Sequence, residues 1–306
     1  MSTPTDVKQQ VREFYDQVGW QEIGDGLYQN THYEDLRPIS AEYIHRCHLR
    51  LSRHLQPSGR FLLDAGSGPI QYPEYLEYSR GYQYRVCADI SITALQEARK
   101  RIGSHGLYVV ADVAYLPFKQ EVFDGVVSLH TIHHLPEEQH LQAYTELYRI
   151  LAPERTATVV NGWPSSQLMS AFEPLMRLSR RVRSLAARLR GEPRAPQKTK
   201  KSKLDSDGNQ KGTFTNRHDY HWVQKAVAAK MPLEIYVWRS VSVRFLRTLV
   251  HPWLGGRWWL RLLYWLEERN PHYYGKIGQY PLIVIRKEKL GIPHYVRNDI
   301  GCCKEV

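Results

Sequence analysis

The sequence predicts an α/β fold: a seven-stranded, mostly parallel sheet with helices on both faces and a helical insert before the last two strands. Three observations predict it. Short apolar runs alternate with helical patterns over residues 60–161, the first run ends in a glycine-rich turn, and the next two runs end in aspartate. Strands that alternate with helices of this length are typical of a parallel sheet covered on both sides.

Two helices are predicted before the sheet begins. Apolar side chains recur every three or four positions over residues 5–18, which is the spacing of an amphipathic helix. These apolar positions are Val7, Val11, Phe14 and Val18. A second helix is expected to follow Pro38, with Ser40 as its capping residue, and to end near residue 55.

The first five strands and the helices between them come next. Strands are predicted over residues 60–64, 84–89, 107–111, 124–129 and 156–161, and helices over 72–79, 92–102 and 136–151. Because the carboxyl ends of parallel strands share one edge of a sheet, residues that follow these strands are expected to lie close together.

The alternation stops at Trp163. Residues 165–190 have a helical pattern with apolar side chains on one face and mostly arginine on the other, and residues 191–211 have the composition of a flexible loop. The last two strands are predicted over 233–237 and 280–285, with an aromatic, helix-like stretch over 245–266 between them. The apolar face of the basic helix consists of Leu168, Phe172, Leu175, Leu178, Val182, Leu185 and Leu189.

The composition indicates a globular protein. With 42% hydrophobic residues the chain can bury a sizeable core, and no apolar run approaches the roughly 20 residues that span a bilayer. Residues 1–21 lack the apolar stretch of a signal peptide, and the four cysteines form no CxxC pair. A reducing, cytoplasmic location is therefore expected.

The net charge of +11 comes almost entirely from one segment. Residues 177–203 contain eleven Lys and Arg side chains and a single acid, Glu192. The rest of the chain is nearly neutral, so the composition does not indicate a general nucleic-acid binder.

The glycine-rich turn is the central chemical signal. The apolar strand over residues 61–64 runs into Gly66 and Gly68, whose missing Cβ atoms let a ligand approach the backbone. The third glycine of a dinucleotide-binding GxGxxG turn is replaced by Gln71, which argues against nicotinamide and flavin cofactors. Asp64 places a carboxylate beneath the turn, which suits a ligand with an ammonium group.

Two more acids close the next two strands. Asp89 ends the second strand, where a carboxylate can accept hydrogen bonds from both hydroxyls of a ribose. Asp112 follows the third, where it can accept from an adenine amino group while Val113 supplies a backbone contact. Each acid alone is ordinary turn chemistry, but three acids that close successive strands indicate a binding site.

In this order the motifs resemble those of class I S-adenosylmethionine-dependent methyltransferases, and most closely the type 11 methyltransferase domain. The motifs are LeuAspAlaGlySerGly (63–68), AlaAspIle (88–90), AlaAspVal-x-x-LeuPro (111–117), and PheAspGlyValValSer with HisHisLeuPro (123–136). The resemblance covers about residues 55–162 and implies a Rossmann-like fold, methyl transfer, and S-adenosyl-L-methionine as the cofactor. The turn at Ala152, Glu154 and Arg155 departs from the family's Lys-Pro-Gly pattern.

The resemblance also implies roles for individual residues. Gly66, Ser67 and Gly68 would contact the methionine half of the cofactor. The other implied contacts are ribose binding by Asp89, adenine packing by Ile90, binding of the adenine amino edge by Asp112 with Val113, contacts near the sulfur and amino group by Leu129 and His130, and a lid contact by Tyr15.

Five parts of the chain are expected. They are an N-terminal helical cap (1–56), the S-adenosylmethionine-binding core (57–163), a basic helical insert and loop that serves as a lid or substrate region (164–232), the last two strands with an aromatic helical insertion (233–290), and a C-terminal tail (291–306).

Three histidines are candidates for a general base, which a hydroxyl acceptor requires. They are His130, just past the fourth strand, and His218 and His221, in a polar and aromatic cluster after the insert. Their alternative roles are packing and a surface turn. His130, His133 and His134 do not indicate a metal site, because no carboxylate or cysteine completes a ligand set.

The expected function is methyl transfer to oxygen or carbon of a small, apolar or aromatic acceptor. The alternatives are a nucleic-acid methyltransferase, a membrane-lipid or quinone methyltransferase, and a non-catalytic protein that keeps the fold. The Trp and Tyr side chains over residues 252–280 are expected to line the acceptor pocket or to pack in the core. The basic helix over 165–190 is expected to cover the pocket, to lie on an anionic membrane or to contact nucleic-acid phosphates.

Overall fold

Two short units precede the central sheet in the computed structural model, which describes residues 3–24, 27–29, 34–190 and 213–289. The elements of these units are α1 (Pro4–Phe14), the hairpin of β1 (Glu22–Gly24) and β2 (Leu27–Tyr28), and α2 (Pro38–Leu49). A π-helical turn extends α1 to Gly19, and a 3-10 turn extends α2 to His54. The predicted loop over 191–211, the C-terminal tail over 291–306, and Cys302 and Cys303 lie outside the described residues.

The central sheet has seven strands, as predicted. They are β3 (Gly59–Ala65), β4 (Tyr82–Asp89), β5 (Gly106–Val110), β6 (Phe123–Leu129), β7 (Leu151–Val160), β8 (Leu233–Arg239) and β9 (Tyr280–Arg286). Their order across the sheet is β5-β4-β3-β6-β7-β9-β8. The first five strands pair in parallel, and β9 runs antiparallel to both β7 and β8.

Within the described residues, eight helices follow β3. They are α3 (Glu74–Glu77), α4 (Ile92–Ile102), α5 (His140–Ile150), α6 (Gln167–Leu189), α7 (Tyr220–Trp222), α8 (Val243–Leu249), α9 (Gly256–Arg269) and α10 (Pro271–Ile277). Capping side chains mark several of their starts: Ser91 accepts a hydrogen bond from the N–H of Ala94 at 3.0 Å and so begins α4.

The core lies on both faces of the sheet. Successive residues of β3 alternate between the faces, so that Leu62 packs in one apolar cluster and Leu63 in the other. A third apolar cluster joins α2, α6, α8 and α9 beside the sheet, around Tyr43, Leu246 and Tyr264. The fold class predicted from the sequence is therefore confirmed.

Several element boundaries differ from the prediction. α2 begins at Pro38, with Arg37 at its N-cap, and the hydroxyl of Ser40 instead donates to the carboxylate of Asp35 at 2.7 Å. The predicted helix over 245–266 is two helices, α8 and α9, because Pro252 and the left-handed Gly255 (φ 67°) interrupt it. The β1–β2 hairpin and α10 were not predicted.

Among the described residues, no helix is both long enough and apolar enough to cross a membrane.

Candidate active site

The carboxyl ends of the parallel strands form the floor of one large cavity. The chain runs outward from β3 through β4 to β5 and then returns to β6 on the other side of β3, and this reversal opens a crevice at the end of β3. A cavity of about 460 Å³ occupies the crevice, and residues of α1 and the turn after it form part of its wall.

Every residue that the sequence predicts to contact the cofactor lines this cavity. They are Tyr15, Asp64, Gly66, Ser67, Gly68, Asp89, Ile90, Asp112, Val113, Leu129 and His130. They come from five different segments of the chain, so the fold brings together what the sequence spaces over more than a hundred positions.

Both glycines of the turn adopt the left-handed conformation. Gly66 has a φ of 75° and Gly68 a φ of 55°, which side chains with a Cβ rarely adopt. A Cβ atom on Gly66 would lie 2.2 Å from the side chain of Thr131, and one on Gly68 would lie 3.1 Å from the ring of Trp20. The Thr131 side chain therefore leaves no room for a Cβ at Gly66, whereas at Gly68 the positive φ and the tight approach of the Trp20 ring both disfavour one.

Asp89 is linked directly to the glycine turn. One carboxylate oxygen accepts the backbone N–H of Gly68, and the other accepts the N–H of Ser91, both at 2.9 Å. Burial raises the pKa of Asp89 to about 6, although these two hydrogen bonds act to lower it. Each oxygen keeps a second lone pair, so the carboxylate can still accept two hydroxyl groups.

Asp112 is paired with a lysine that the sequence analysis missed. The ammonium of Lys8, on α1, forms an ion pair with one carboxylate oxygen of Asp112, and the other oxygen accepts the N–H of Ala114 at 2.9 Å. Lys8 also lies 5.0 Å from the centre of the Tyr115 ring. Any group that uses the Asp112 carboxylate therefore shares it with Lys8.

Asp64 has a different main partner from the one expected. The fully buried guanidinium of Arg85 forms an ion pair with one carboxylate oxygen of Asp64 and also donates to the carbonyl of Tyr75. Asp64 also lines the cavity, so its contact with a ligand ammonium stays a prediction, made by a carboxylate that is already paired with Arg85. Arg85 was overlooked because it lies in a strand whose pattern indicates apolar burial.

Tyr15 connects α1 to the loop after β6. Its hydroxyl lies 2.9 Å from Nε2 of His134, and its ring stacks on Trp20 at 4.9 Å. Nδ1 of His134 lies 2.8 Å from the carbonyl oxygen of Phe214, so this nitrogen carries the proton and Nε2 accepts from Tyr15. Burial lowers the pKa of His134 to about 4, which keeps this ring neutral.

His130 ends β6 in an unusual backbone conformation, with a φ of 56°. Its ring meets Trp238 and Tyr280 edge to face, at 5.2 Å and 5.7 Å. Burial, aided by the positive charges of Arg239 and Arg217, lowers the pKa of His130 to about 3. This imidazole is therefore neutral at physiological pH.

The rest of the cavity wall combines aromatic rings with charge. It includes Glu34, Gln71, Tyr72, Arg217, Trp238 and Arg239, which the sequence did not indicate, and Tyr280, which ends the aromatic stretch expected to line the pocket or pack in the core. Arg239 is buried and donates to Glu34 at 2.6 Å. Burial acts to raise the pKa of Glu34, but the positive charge of Arg239 opposes this and holds the pKa at about 2.

One cation of this wall has unused hydrogen-bonding capacity. Nε of Arg239 is buried and has no hydrogen-bond partner within the part of the chain that the structure describes. Its guanidinium lies 4.8 Å from the centre of the Tyr280 ring. Arg217 lines the same cavity. The sequence pattern had instead indicated its neighbour, His218.

His218 and His221 are not part of the cavity lining. The His218 ring stacks on Trp222 with 3.6 Å between ring centres, and it packs against His140. His221 is exposed. The prediction of a catalytic base at either position has no geometric support, because the chain after the insert turns Arg217 and not these histidines toward the cavity.

Two tyrosines of the aromatic stretch meet the expectation, since Tyr264 packs in the core and Tyr280 lines the cavity, but the tryptophans of this stretch and the basic helix do not. Trp253, Trp258, Trp259 and Trp265 neither line the cavity nor pack in the core, since all four are at least half exposed. Within the described part of α6, no residue lines the cavity, so the proposed lid role of this helix has no support either. No cluster of His, Cys, Asp or Glu side chains suited to a metal ion occurs among the described residues.

Comparison with known proteins identifies the central part of the chain. Residues 63–157 match the methyltransferase domain family. No curated protein matches the chain.

Three solved structures share the fold. Phosphoethanolamine N-methyltransferase 1 of Haemonchus contortus, in complex with phosphoethanolamine and S-adenosylhomocysteine, superposes with a TM-score of 0.56 at 12% identity and covers 95% of this chain and 51% of its own. Geranyl diphosphate C-methyltransferase of Streptomyces coelicolor A3(2), in complex with Mg²⁺, geranyl diphosphate and S-adenosyl-L-homocysteine, gives a TM-score of 0.52 at 16% identity, with 94% and 98% covered. Phosphoethanolamine N-methyltransferase 2 of Haemonchus contortus, in complex with S-adenosyl-L-methionine, gives a TM-score of 0.51 at 14% identity. The match covers 91% of this chain and 60% of that enzyme. This chain spans about half the length of the first of these enzymes.

Proposed function

We propose that this chain, which contains a class I S-adenosylmethionine-dependent methyltransferase domain, transfers a methyl group to oxygen or carbon of a small molecule with an aromatic or apolar body. The observation that carries the proposal is that one cavity is lined both by residues suited to the cofactor and by residues suited to an acceptor.

The cofactor half of the cavity fits S-adenosylmethionine. Gly66 and Gly68 present backbone without a Cβ, Asp89 offers two acceptor oxygens to the ribose, and Asp112 offers an acceptor for the adenine amino group. Bound there, S-adenosylmethionine supplies a methyl group that its sulfonium activates. The protein's own contribution is then largely to position the acceptor, which can be worth about 7–11 kcal/mol.

The acceptor half fits a flat molecule with an acidic hydroxyl. Trp238, Tyr280 and Tyr72 supply aromatic walls, while Arg239 and Arg217 supply positive charge. A guanidinium near a phenol or an enol lowers the pKa of the hydroxyl and stabilises the ionised form. An ionised oxygen, or the carbon conjugated with it, is already a nucleophile and needs no strong base.

His130 then acts by orientation. A base with a pKa near 3 removes protons poorly at neutral pH, but a neutral imidazole can accept a hydrogen bond from an acceptor hydroxyl. We propose this role for His130, and we propose no catalytic role for His218 or His221.

The test is transfer of labelled methyl from S-adenosylmethionine by the full chain to phenols and 1,3-diketones, compared with O-methylated analogues of each. We expect transfer to the ionisable acceptors alone. Arg217→Met should raise their KM roughly tenfold, the value of one charge-assisted hydrogen bond, and leave S-adenosylhomocysteine affinity within about twofold. Arg80→Met, at an exposed ion pair with Glu77, is the matched control and should change neither value.

The same assay on a cell extract separates the alternatives. Label in an organic-soluble small molecule supports the proposal. Label in nucleic acid identifies the nucleic-acid alternative, and label in phospholipid or quinone identifies a membrane acceptor. If S-adenosylmethionine binds but no fraction gains label, the non-catalytic alternative is favoured.

A further inference from the structure

We propose that the protein docks on an anionic phospholipid surface through an apolar and cationic face formed by α6, the turn at residues 252–254 and α9. We call it the Leu/Trp face. Its apolar members are Leu175, Leu178, Val182, Leu185, Trp253, Leu254, Trp258, Trp259 and Trp265. The proposal does not depend on which acceptor is methylated.

The first observation is an exposed apolar stripe along α6. Leu175, Leu178, Val182 and Leu185 follow one another at spacings of three and four, so they share one side of the helix. Their exposed fractions are 49–57%, whereas the buried side of the same helix carries Met169 and Met176. The stripe is therefore a second apolar side of the helix that remains exposed to water. Single exposed apolar residues are normal, whereas a continuous exposed apolar patch indicates an interaction surface.

The second observation is a set of exposed tryptophans. α9 packs into the core through Leu260 and Tyr264, while Trp258 and Trp265, seven positions apart, lie on its outer side at 60% and 50% exposure. Trp253, in the turn before α9, is 78% exposed. Tryptophan is the side chain that most favours the boundary between water and lipid, because it has a large apolar body and one polar N–H.

The two sets belong to one region of the molecule. α6 packs on α8 through the rings of Phe172 and Phe245, whose centres are 5.1 Å apart, and the hydroxyl of Ser179 donates to the carbonyl of Thr248 at 3.2 Å. α8 leads directly into the turn that carries Trp253 and then into α9. The stripe and the tryptophans are thus held by elements in direct contact.

The charge of this region decides what kind of surface it fits. Glu173 is the one acid of α6, and it is shared by Arg177, Arg180 and Arg244. Arg181, Arg183 and Arg188 are exposed and have no ion-pair partner within the described ranges. These exposed cations complement lipid phosphates, because basic side chains are attracted to the negative potential of an anionic membrane.

Other occupants match the face less well. A nucleic acid would use the arginines but leave the aliphatic stripe in water. A second copy of the chain would bring arginine against arginine. An interfacial helix of a membrane-associated protein combines an apolar side with arginines, as α6 does.

The test is sedimentation of the full chain with vesicles of phosphatidylcholine alone or with a quarter phosphatidylglycerol. We expect binding to the mixed vesicles that weakens with added salt, and little binding to phosphatidylcholine alone. Trp258→Ala with Trp265→Ala, and separately Leu178→Ser with Val182→Ser, should each weaken binding at least tenfold. Leu107→Ser, which removes an exposed side chain from β5, is the matched control and should bind normally.

Two controls keep the test decisive. Each variant must retain S-adenosylhomocysteine affinity, because none of these residues lines the cavity. Vesicles that contain brominated lipid should quench the tryptophan fluorescence of the wild-type chain at low salt. The proposal is overturned by any of three results: no binding to mixed vesicles, binding unchanged in both double variants, or a dimer in solution that the tryptophan variants dissociate.

Duplex DNA is the remaining competitor. If the chain binds DNA more tightly than mixed vesicles, and the Leu178→Ser/Val182→Ser variant binds DNA as the wild type does, the face is a nucleic-acid surface and the lipid proposal fails.

Discussion

Asp89 couples the shape of the glycine turn to the chemistry of the site. Its carboxylate holds the N–H of Gly68 and also faces the cavity where a ribose is proposed to bind. Because its pKa is about 6, the residue changes its charge within a range of pH that leaves His130 and His134, with pKa values of about 3 and 4, neutral. A pH titration can therefore isolate this residue.

We predict that S-adenosylhomocysteine affinity falls as the pH is lowered from 7 to 5. The ionised carboxylate accepts two hydroxyl groups, so affinity is highest at pH 7, where most of the carboxylate is ionised, and falls progressively as the pH drops through the pKa of about 6. Calorimetric titration at pH 7, 6 and 5 measures this effect. Asp89→Asn should bind more weakly, with an affinity that no longer depends on pH; an equal pH dependence in the variant would show that another group is responsible.

The Glu34–Arg239 ion pair is expected to have a large effect on the stability of the fold. Both side chains are nearly buried, at 6% and 3% exposure. We predict that Glu34→Ala lowers the free energy of unfolding by about 3–5 kcal/mol, because it leaves a buried guanidinium without its counter-ion. Urea denaturation gives the value.

An exposed ion pair provides the comparison. Glu173→Ala removes the carboxylate that Arg177, Arg180 and Arg244 share at the surface, and it should lower the free energy of unfolding far less than Glu34→Ala does. Similar losses in both variants would mean that the burial of Glu34 has been overestimated.

Among the elements, α1 and its π-helical turn form the part of the cavity wall that is furthest from the sheet in sequence. Val7 and Val11 anchor the helix, and Tyr15 reaches His134. We predict that Tyr15→Phe weakens S-adenosylhomocysteine binding about three- to tenfold and changes the free energy of unfolding by less than about 1 kcal/mol, because one partly buried hydrogen bond is lost.

The matched control is Tyr273→Phe, which removes the hydroxyl of an exposed tyrosine on α10. It should leave both quantities unchanged. Isothermal calorimetry and urea denaturation distinguish the outcomes, and a Tyr15→Phe variant with wild-type affinity would exclude a role of this contact in closing the site.

Elements were predicted well wherever their signal is local. The apolar run before Gly66 and the acids at the ends of β4 and β5 lie within a few residues of the structure they determine. Pairs that are distant in sequence were missed, since no periodicity links Lys8 to Asp112 or Glu34 to Arg239 across 104 and 205 positions. Their partners depend on tertiary packing.

Amphipathic helices exposed a second limit of sequence patterns. The pattern of α6 left open whether its apolar side covers the pocket or meets a membrane, and in the structure Leu178 and Val182 face water. A pattern of period 3.6 shows that a helix has an apolar side but not what covers it. The same holds for Trp258 and Trp265, whose exposure is visible only once α9 is docked through Leu260.

At the scale of the whole molecule, two functional regions lie on different elements. The cavity gathers the carboxyl ends of β3 to β6 with α1, and the Leu/Trp face gathers α6, α9 and the turn between α8 and α9. Changes in one region are therefore expected to leave the other intact, which makes the proposals about methyl transfer and lipid binding separately testable.

Cofactor choice is the claim on which the account of the cavity depends. Calorimetric titration of the purified chain with S-adenosylmethionine, S-adenosylhomocysteine and NADH, repeated on Asp89→Ala, tests it most directly. The account predicts micromolar binding of both adenosyl ligands, at least a tenfold loss in the variant, and no binding of NADH. Preference for NADH, or no binding of either adenosyl ligand, would contradict it.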